Sequence, residues 1–449
     1  MRDRLLTNIV TPSWYYGLRP TDAGNNPYFI STDFLTNGDR KLFDEPTDYS
    51  THEVELLDLA YQAWLKGVIA EGTKSLDFGQ IHPTNRDQYV FLRRHFSSVW
   101  SVFALIVRLA ELNNPITELR SFVGSVGTRR IDPYAMTKDW RPALAKFDSD
   151  LLNAEPKVSV IIPTLNRYKY LKDVLRDLEK QDYTNFEVIV VDQSEPFDRS
   201  FYDEFALDLR VVHQIEKAQW LARNSAIQNS KGELILLFDD DSRVEPNWIR
   251  SHIKCLDFFK ADISSGVSLS AVGAAVPKTY SYYKWGDQLD TGNAMVRKDV
   301  FRAVGLFDRQ FEKQRQGDGE FGLRAYLAGF KNISNPDASR LHLKAAEGGL
   351  RELGSWDGWR PKNFIAPRPF PSVLYSTRKY FGNRAAIYQI LQSTLPSLVP
   401  YRFKGSQSMR IVGSILGVFI LPLISISVMR SWRLSTKKLE EGPKITNLE

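Results

Sequence analysis

The chain has 449 residues, of which 43% are hydrophobic and 12% aromatic, so it is long enough for two or three globular domains with sizeable cores. Its net charge of +6 is unevenly spread, because residues 351–449 hold a net +10 and residues 1–350 are left at −4. The basic excess coincides with C-terminal apolar stretches and no nucleic-acid-binding motif is recognised, which favours an anionic membrane surface as a partner and argues against nucleic acid.

Residues 1–150 are predicted to form a separate, mainly helical domain. Apolar residues recur with helical spacing over 54–69 and 89–112. A proline at 133 and the polar stretch 148–150 mark a linker after these helices. No catalytic constellation stands out in this region, which leaves a packing domain or an acceptor-docking module as alternatives.

From residue 158 the pattern changes to strands that alternate with helices. Short apolar runs predict strands at 158–162, 186–191, 209–213 and 234–238. Helical spacing fills 168–180 and 219–229 between them. This alternation predicts an α/β domain over residues 151–371, built on a doubly wound, Rossmann-like, mostly parallel sheet.

An acidic triplet, Asp239-Asp-Asp241, directly follows the last of these strands. A buried strand that stops there places three carboxylates at the carboxyl edge of the sheet, where such folds bind ligands. Crowded like charges are costly unless a cation lies between them, and Mg²⁺ and Mn²⁺ prefer oxygen ligands. The triplet therefore indicates a divalent metal site, with a solvated acidic turn as the alternative.

Four segments in this order and spacing carry a resemblance to a known family. They are Val158-Ser-Val-Ile-Ile-Pro-Thr-Leu-Asn-Arg167, Val190-Val-Asp-Gln-Ser194, Ala222-Arg-Asn224 and the acidic triplet. Together they resemble a family 2 glycosyltransferase with the GT-A fold, over about residues 157–345. The resemblance implies inverting transfer of a sugar from a nucleoside-diphosphate sugar, with a UDP-sugar favoured.

The resemblance implies a set of nucleotide-sugar-binding residues at the strand ends. These residues are Pro163, Thr164, Asn166, Arg167, Asp192, Arg223, Asp239 and Asp240. Asp192 would accept a hydrogen bond from the base, although an ordinary turn or helix-cap residue is an alternative. Arg223 would face the diphosphate or support the site, and an exposed helix arginine is the alternative.

The first and third acids of the triplet match the Asp-x-Asp motif of the family. The resemblance implies that Asp241 ligates Mn²⁺ or Mg²⁺, with Asp239 and His342 completing the metal site, while Asp239 and Asp240 hold the ribose or bridge to the ion through water. A lone histidine is more often structural, so His342 has that alternative.

The acceptor side of the resemblance lies further along the chain. Gly292 and Asn293 would line the sugar or acceptor pocket, and Trp356 could stack on a sugar. Asp318 stands where relatives carry Glu-Asp, with Gly317 in place of the glutamate. It is assigned as the general base that deprotonates the acceptor hydroxyl, against an N-cap as the alternative. Glu320 is the fallback base.

Residues 372–449 are predicted to form C-terminal basic and apolar helices with a tail. Residues 411–429 carry no charge, are interrupted by Pro422 and have basic residues on both flanks. This pattern favours membrane attachment at the cytoplasmic face, either in the plane of the membrane or spanning it. A buried helix of the soluble domain is the alternative.

These features predict an inverting, metal-dependent glycosyltransferase that moves a sugar to a saccharide or lipid-linked acceptor in polysaccharide or surface-glycan synthesis. Two alternatives stay open. A binding protein that kept the fold but lost turnover would explain the missing glutamate before Asp318. A processive polysaccharide synthase is disfavoured, because neither several membrane spans nor a Gln-x-x-Arg-Trp motif is found.

Overall fold

The computed structural model describes residues 6–15, 18, 28–31, 35–46, 48–70, 81–270, 278–286, 289–345, 357–361, 363, 365–400, 403 and 406–449. The chain divides into two compact units. One comprises residues 1–138 and 377–420, and the other comprises residues 139–376 and 421–449. The helix Pro371–Ser393 contains this boundary, and Gly382 interrupts it with a φ of 86°.

The first unit is helical in its described residues. Its helices are Thr7–Val10, Asn37–Arg40, His52–Leu65, Asn85–His95, Ser98–Ala110, Pro115–Val123 and Gln407–Phe419, with a 3₁₀ turn at Pro396–Leu398. The region 89–112, predicted from its helical spacing, contains two helices. Phe96 and Ser97 have extended backbone and divide it into two helices, each of which keeps the apolar spacing of its own part.

The core of this unit lies where the helices Asn85–His95 and Ser98–Ala110 pack together. Its buried side chains include Tyr89, Leu92 and Leu105. A capping box starts the first of these helices, since the Thr84 hydroxyl accepts from the Asp87 N–H and the Asp87 carboxylate accepts from the Thr84 N–H.

The second unit is an α/β unit with a nine-stranded mixed sheet among its described residues. The strands are β1 (Val158–Thr164), β2 (Phe186–Asp192), β3 (Leu209–His213), β4 (Leu234–Phe238), β5 (Ser242–Val244), β6 (Ile263–Ser270), β7 (Lys284–Trp285), β8 (Asn293–Arg297) and β9 (Asn332–His342). Their order is β3-β2-β1-β4-β8-β6-β9-β5, and β7 pairs with β9. All four predicted strands are present, and they form the parallel half.

The other half of the sheet contains antiparallel pairs. Strand β8 runs antiparallel to both β4 and β6, whereas β6 and β9 are parallel. Because β8 is antiparallel, it begins where β4 ends, and Asn293 pairs with Phe238. In the same way, His342 at the end of β9 pairs with Ser242, next to the acidic triplet. The register thus brings segments that are distant in sequence to one edge of the sheet.

Helices of the second unit accompany this sheet. They are Arg141–Lys146, Asp150–Asn153, Tyr168–Leu178, Gln219–Gln228, Trp248–Phe258, Lys298–Val304, Gly317–Leu327 and Leu421–Glu441, with 3₁₀ turns at Ser200–Glu204, Lys278–Tyr280 and Arg309–Phe311. The main core contains Ile161, Ile189 and Leu237 of the strands, packed with Ala226 and Phe321 of the helices.

The uncharged stretch 411–429 is divided between the helices Gln407–Phe419 and Leu421–Glu441. Among the described residues, no helix combines the length and the apolar character needed to cross a bilayer.

Candidate functional site

Asp239, the first acid after β4, lies between two buried arginines. Its Oδ1 accepts a hydrogen bond from Arg223 Nη2 at 2.9 Å, and its Oδ2 accepts one from Arg340 Nη1 at 2.8 Å. Burial would raise the pKa of Asp239, but Arg340 and Arg223 outweigh it and hold the pKa well below its usual range. Asp239 is therefore a carboxylate at neutral pH, with 27% of its side chain exposed.

Asp240 points to the first strand. Its Oδ2 accepts from Thr164 Oγ1 at 2.7 Å and its Oδ1 accepts from Arg167 Nη1 at 2.8 Å. Burial raises the pKa of Asp240 to about 6 despite this ion pair, and the neighbouring Asp241 raises it further. Both oxygens have a protein partner, and the expected contact of Asp240 with ribose or a water-bridged ion stays a prediction. Thr164 and Arg167 therefore hold the side chain of Asp240 in place through these two hydrogen bonds.

Asp241 lies beside His342, as the predicted metal site requires. Asp241 Oδ1 is 3.3 Å from His342 Nε2, and Asp241 Oδ2 accepts from the Ala345 N–H at 3.0 Å. Burial would raise the pKa of Asp241, but the hydrogen bond from His342 and the charge of Arg167 lower it overall.

The structure brings together the three residues that the sequence assigned to a metal. One ligand atom each from Asp239, Asp241 and His342 lies within 4.8 Å of the other two. Two carboxylate oxygens and one imidazole nitrogen are a donor set that suits Mn²⁺ or Mg²⁺ with further positions left for substrate oxygens. The residues present therefore fit a divalent cation.

Asp192, at the end of β2, is fully buried and hydrogen-bonded. Its Oδ2 accepts from the hydroxyls of Tyr168 and Tyr202, both at 2.7 Å, and its Oδ1 accepts from the Ser194 N–H at 2.8 Å. The contact between Asp192 and the Ser194 N–H, two residues on, is typical of a turn residue, which was the alternative to base binding for Asp192. Asn166, with a φ of 54°, donates its N–H to Ser194 Oγ at 2.8 Å and so ties the loop after β1 to the loop after β2. Pro163 lies within β1 and does not end it.

Arg223 is fully buried in the helix Gln219–Gln228, so the alternative of an exposed arginine is wrong. Its Nη2 also donates to the Thr291 carbonyl at 3.1 Å. Its Nε and Nη1 are buried without a hydrogen-bond partner among the described residues. Buried guanidinium N–H groups without partners are costly, and an anionic ligand would satisfy them.

Two residues of the site escaped assignment from the sequence. Asp290 Oδ2 accepts from Arg340 Nη2 at 3.1 Å and from Ser268 Oγ at 2.6 Å. Arg340 thus bridges Asp290 to Asp239, and its Nη1 also donates to Ser242 Oγ at 2.8 Å. A signal was available, because Arg340 lies two residues before His342 on one strand and therefore on the same face.

Gly292 lies against this bridge. A Cβ at Gly292 would be 2.1 Å from Asp239 Oδ2 and 2.3 to 2.4 Å from the terminal nitrogens of Arg340. Only glycine fits this close approach, and the position of Gly292 beside the site agrees with its predicted neighbourhood.

Asn293 is instead a structural residue, contrary to the expectation that it lines a pocket. Its Nδ2 donates to the carbonyls of Val267 and Ala338, and its Oδ1 accepts from Trp248 Nε1 at 2.9 Å and lies 3.1 Å from His252 Nε2. The amide is fully buried and links β8 to its neighbours.

Asp318 is the second residue of the helix Gly317–Leu327, whose N-cap is Gln316, so the N-cap alternative does not hold. Its Oδ1 accepts from the Gly319 N–H at 2.8 Å. Burial raises the pKa of Asp318 above its usual value, with a further increase from Asp290 and an opposing effect of Arg223. These couplings place Asp318 in the same electrostatic cluster as Asp290 and Arg223.

The absence of a glutamate before Asp318 has a steric explanation. A Cβ at Gly317 would lie 2.5 Å from the Trp220 ring, which is itself buried. The bulky Trp220 therefore occupies the space that a side chain at 317 would need.

Glu320 is committed to a buried ion pair. Both of its carboxylate oxygens accept from Arg324 Nε at 3.0 Å, and Arg324 Nη2 donates to the Leu306 carbonyl at 2.9 Å. This position does not match a fallback base or a pocket residue. Trp356, which was predicted to stack on a sugar, lies outside the described residues.

Part of the chain is similar to known proteins. Residues 159–305 match the family model described as glycosyl transferase family 2. The glycosyltransferase GlyG of Streptococcus pneumoniae is 28% identical over 194 residues, which is 41% of this chain and 59% of GlyG. The poly(ribitol-phosphate) beta-N-acetylglucosaminyltransferase TarS of Staphylococcus aureus is 28% identical over 130 residues, covering 27% of this chain and 23% of TarS.

A solved structure of S. aureus TarS 1-349 in complex with UDP-GlcNAc aligns with a TM-score of 0.42 and 19% identity, over 62% of this chain and 81% of that one. The chain thus spans less than two thirds of the length of these curated relatives. The curated relatives that the sequence matches carry the names of glycosyltransferases. More particularly, residues 159–305 are a domain of glycosyl transferase family 2, as the resemblance predicted.

Proposed function

We propose that this chain is an inverting, metal-dependent glycosyltransferase of the GT-A fold. It would transfer one sugar from a nucleoside-diphosphate sugar to a saccharide or lipid-linked acceptor. The observation that carries this proposal is the convergence of Asp239, Asp241 and His342 within 4.8 Å at the carboxyl edge of the parallel strands. Asp318 would act as the base near these residues, and the influence of Asp290 and Arg223 on its pKa supports this role.

The donor would bind with its diphosphate at the metal ligands and its nucleoside toward the ends of β1 and β2. Arg223 supports this orientation, because its unpaired Nε and Nη1 can donate to an anionic oxygen. Asp192 would accept from the base at Oδ1, which accepts one hydrogen bond, from the Ser194 N–H, whereas Oδ2 accepts two from tyrosine hydroxyls. A UDP-sugar is the favoured donor.

The reaction would proceed as a direct displacement. The carboxylate of Asp318 takes the proton from the acceptor hydroxyl as the acceptor oxygen attacks the anomeric carbon. The bond from that carbon to the β-phosphate oxygen breaks at the same time, and the diphosphate leaves with an additional negative charge. When bound, Mn²⁺ or Mg²⁺ would stabilise this charge. The raised pKa of Asp318 makes it a stronger base than an ordinary carboxylate.

The pathway and the location follow from the same proposal. GlyG and TarS are named as glycosyltransferases, and TarS is named for a poly(ribitol-phosphate) acceptor, which supports a role in polysaccharide or surface-glycan synthesis. We place the protein at the cytoplasmic face of the membrane, attached through residues 372–449. Exposed Met409, Val412, Ile415 and Val418 on the helix Gln407–Phe419 support this attachment.

A thermal-shift titration tests the metal and donor sites together. UDP, GDP, dTDP and CMP are each added with and without Mn²⁺ to the wild type, to Asp241→Ala and to a control, Asp203→Ala, whose carboxylate is on the exposed surface. We expect one nucleotide to stabilise the wild type and the control only with Mn²⁺, and Asp241→Ala to lose the shift. No shift with any nucleotide would overturn the proposal.

A further inference from the structure

Two consecutive helices of the first unit present apolar residues to solvent. The exposed apolar hairpin, defined as residues 98–126, contains the helices Ser98–Ala110 and Pro115–Val123, which contact each other. The first helix also has an inner face, where Ala104, Leu105 and Val107 are buried, and the second helix buries Glu118. The exposed positions therefore form a second apolar surface that the core of the unit does not use.

The exposed residues follow helical spacing on both helices. Val99, Val102 and Ile106 lie at positions i, i+3 and i+7 of the first helix, and Ile116, Leu119 and Val123 repeat this pattern on the second. Leu112 in the connecting turn is 92% exposed, and Ile116 is 76% exposed. Soluble proteins rarely expose a contiguous set of this kind unless it contacts a partner or a membrane.

The charges of this segment are sorted by sign. Its two acids are both paired: Glu118 is buried and accepts from Tyr89 at 2.8 Å and Arg108 at 2.7 Å, and the partly exposed Glu111 forms an ion pair with Arg384 at 2.6 Å. The exposed charged side chain of the hairpin itself is Arg120; exposed Arg129 and Arg130 follow it, and exposed Asp132 comes next. Three arginines and one aspartate give these side chains a net charge of +2, which complements an anionic lipid bilayer.

We propose that the exposed apolar hairpin is a membrane-docking surface that inserts into the interface of a bilayer containing anionic lipids. The exposed stripe is wholly aliphatic, whereas protein interfaces rely on tryptophan, tyrosine and arginine at their centres. The same unit carries a second apolar helix face on Gln407–Phe419, where Ile415 is 59% and Phe419 80% exposed. This inference gives a role to the N-terminal helices and is independent of the glycosyltransferase proposal.

Vesicle sedimentation tests the surface with the full chain. Vesicles of phosphatidylcholine alone, or with about 30% phosphatidylglycerol, are mixed with the wild type, with the double variant Ile106→Glu and Ile116→Glu, and with the control Ile215→Glu. Ile215 is 88% exposed and lies in the other unit, so the control makes the same exposed Ile→Glu change away from the hairpin. We expect the double variant to bind anionic vesicles at least about tenfold more weakly and the control to bind as the wild type does.

A site-specific probe distinguishes insertion from an indirect effect. Cys255 is buried and is the single cysteine of the chain, so a thiol-reactive environment-sensitive dye will label a new surface cysteine selectively. With the dye at Val102→Cys, we expect a blue shift on addition of anionic vesicles, and none with the dye at Ile215→Cys. This readout does not depend on how much affinity other parts of the chain supply.

Three results would overturn the inference. The first is unchanged vesicle binding by a folded double variant, and the second is a dye at position 102 that stays in a polar environment with vesicles. The third is a concentration-dependent dimer of the wild type that the double variant abolishes while vesicle binding is kept, because a second copy of the chain would then be the occupant.

Discussion

The substitution Gly292→Ala examines how tightly the position of Asp239 is constrained. The new Cβ would lie 2.1 Å from Asp239 Oδ2, while ordinary contacts of a Cβ begin at 3.4 Å. The carboxylate must therefore retreat by about 1.3 Å, and the guanidinium of Arg340 must move by about 1 Å. The clashing atoms are the ends of side chains, so we expect these side chains to move while the backbone fold is kept. Overpacking of this kind lowers the free energy of unfolding by about 1–3 kcal/mol.

Because Asp239 is a proposed metal ligand, a displacement of about 1 Å is expected to lower kcat/KM by about 100-fold. The assay is Mn²⁺-dependent release of nucleotide from the donor sugar, with the free energy of unfolding measured by urea for each variant. Gly286→Ala is the control in the same unit, since its Cβ would meet its nearest neighbour at 3.3 Å. If folded Gly292→Ala keeps its kcat/KM within about threefold of the wild type, the position of Asp239 does not matter for catalysis and the reasoning fails.

Three further substitutions probe the supports of the site. The pKa of Asp240 in the folded chain is about 6, above its ordinary value of 3.8. Between these two pH values the folded chain binds more protons than the unfolded chain, so the contribution of Asp240 to stability is lost as the pH rises. With a chelator present, the free energy of unfolding in urea is measured for Asp240→Asn and for the wild type. As the pH rises from 4 to 6, the difference between the two should move in favour of the variant by up to about 3 kcal/mol. A difference that stays constant would contradict this prediction. Arg223→Ala should lose about 1.5–3 kcal/mol in the same assay, because it removes one of the two arginines that pair with the partly buried Asp239. The exposed Arg302→Ala should lose under about 1 kcal/mol, and equal losses would refute the assignment. Asn293→Ala should lower the free energy of unfolding by about 3 kcal/mol or more, because its buried partners would be left without hydrogen bonds. A stable variant with weakened donor binding would instead show that Asn293 lines the sugar or acceptor pocket.

The parallel half of the sheet was predictable because short apolar runs alternate with helical spacing. The strands Leu209–His213 and Leu234–Phe238 have the predicted bounds. The direction of β8 was not predictable, since an apolar run does not encode whether its strand is parallel or antiparallel to a neighbour. The break at Phe96 and Ser97 was missed because apolar spacing continues on both sides of it.

The candidate site was predictable where a residue stands directly at a strand end. Asp239 and Asp241 follow β4, and His342 ends β9, so their motifs located them. Asp290 and Arg340 escaped because their importance arises from mutual pairing across the sheet, between residues 50 positions apart. Asn293 was misassigned since a motif position does not reveal whether an amide faces a pocket or is satisfied by carbonyls of adjacent strands.

The most direct measurement of the central claim is nucleotide release from UDP-, GDP- and dTDP-sugars with Mn²⁺ by the wild type and Asp318→Asn. We predict release from one donor class by the wild type, and a rate at least about 100-fold lower in Asp318→Asn with the thermal stabilisation by nucleotide unchanged. A wild-type rate in Asp318→Asn, or no release from any donor by the wild type, would contradict the account.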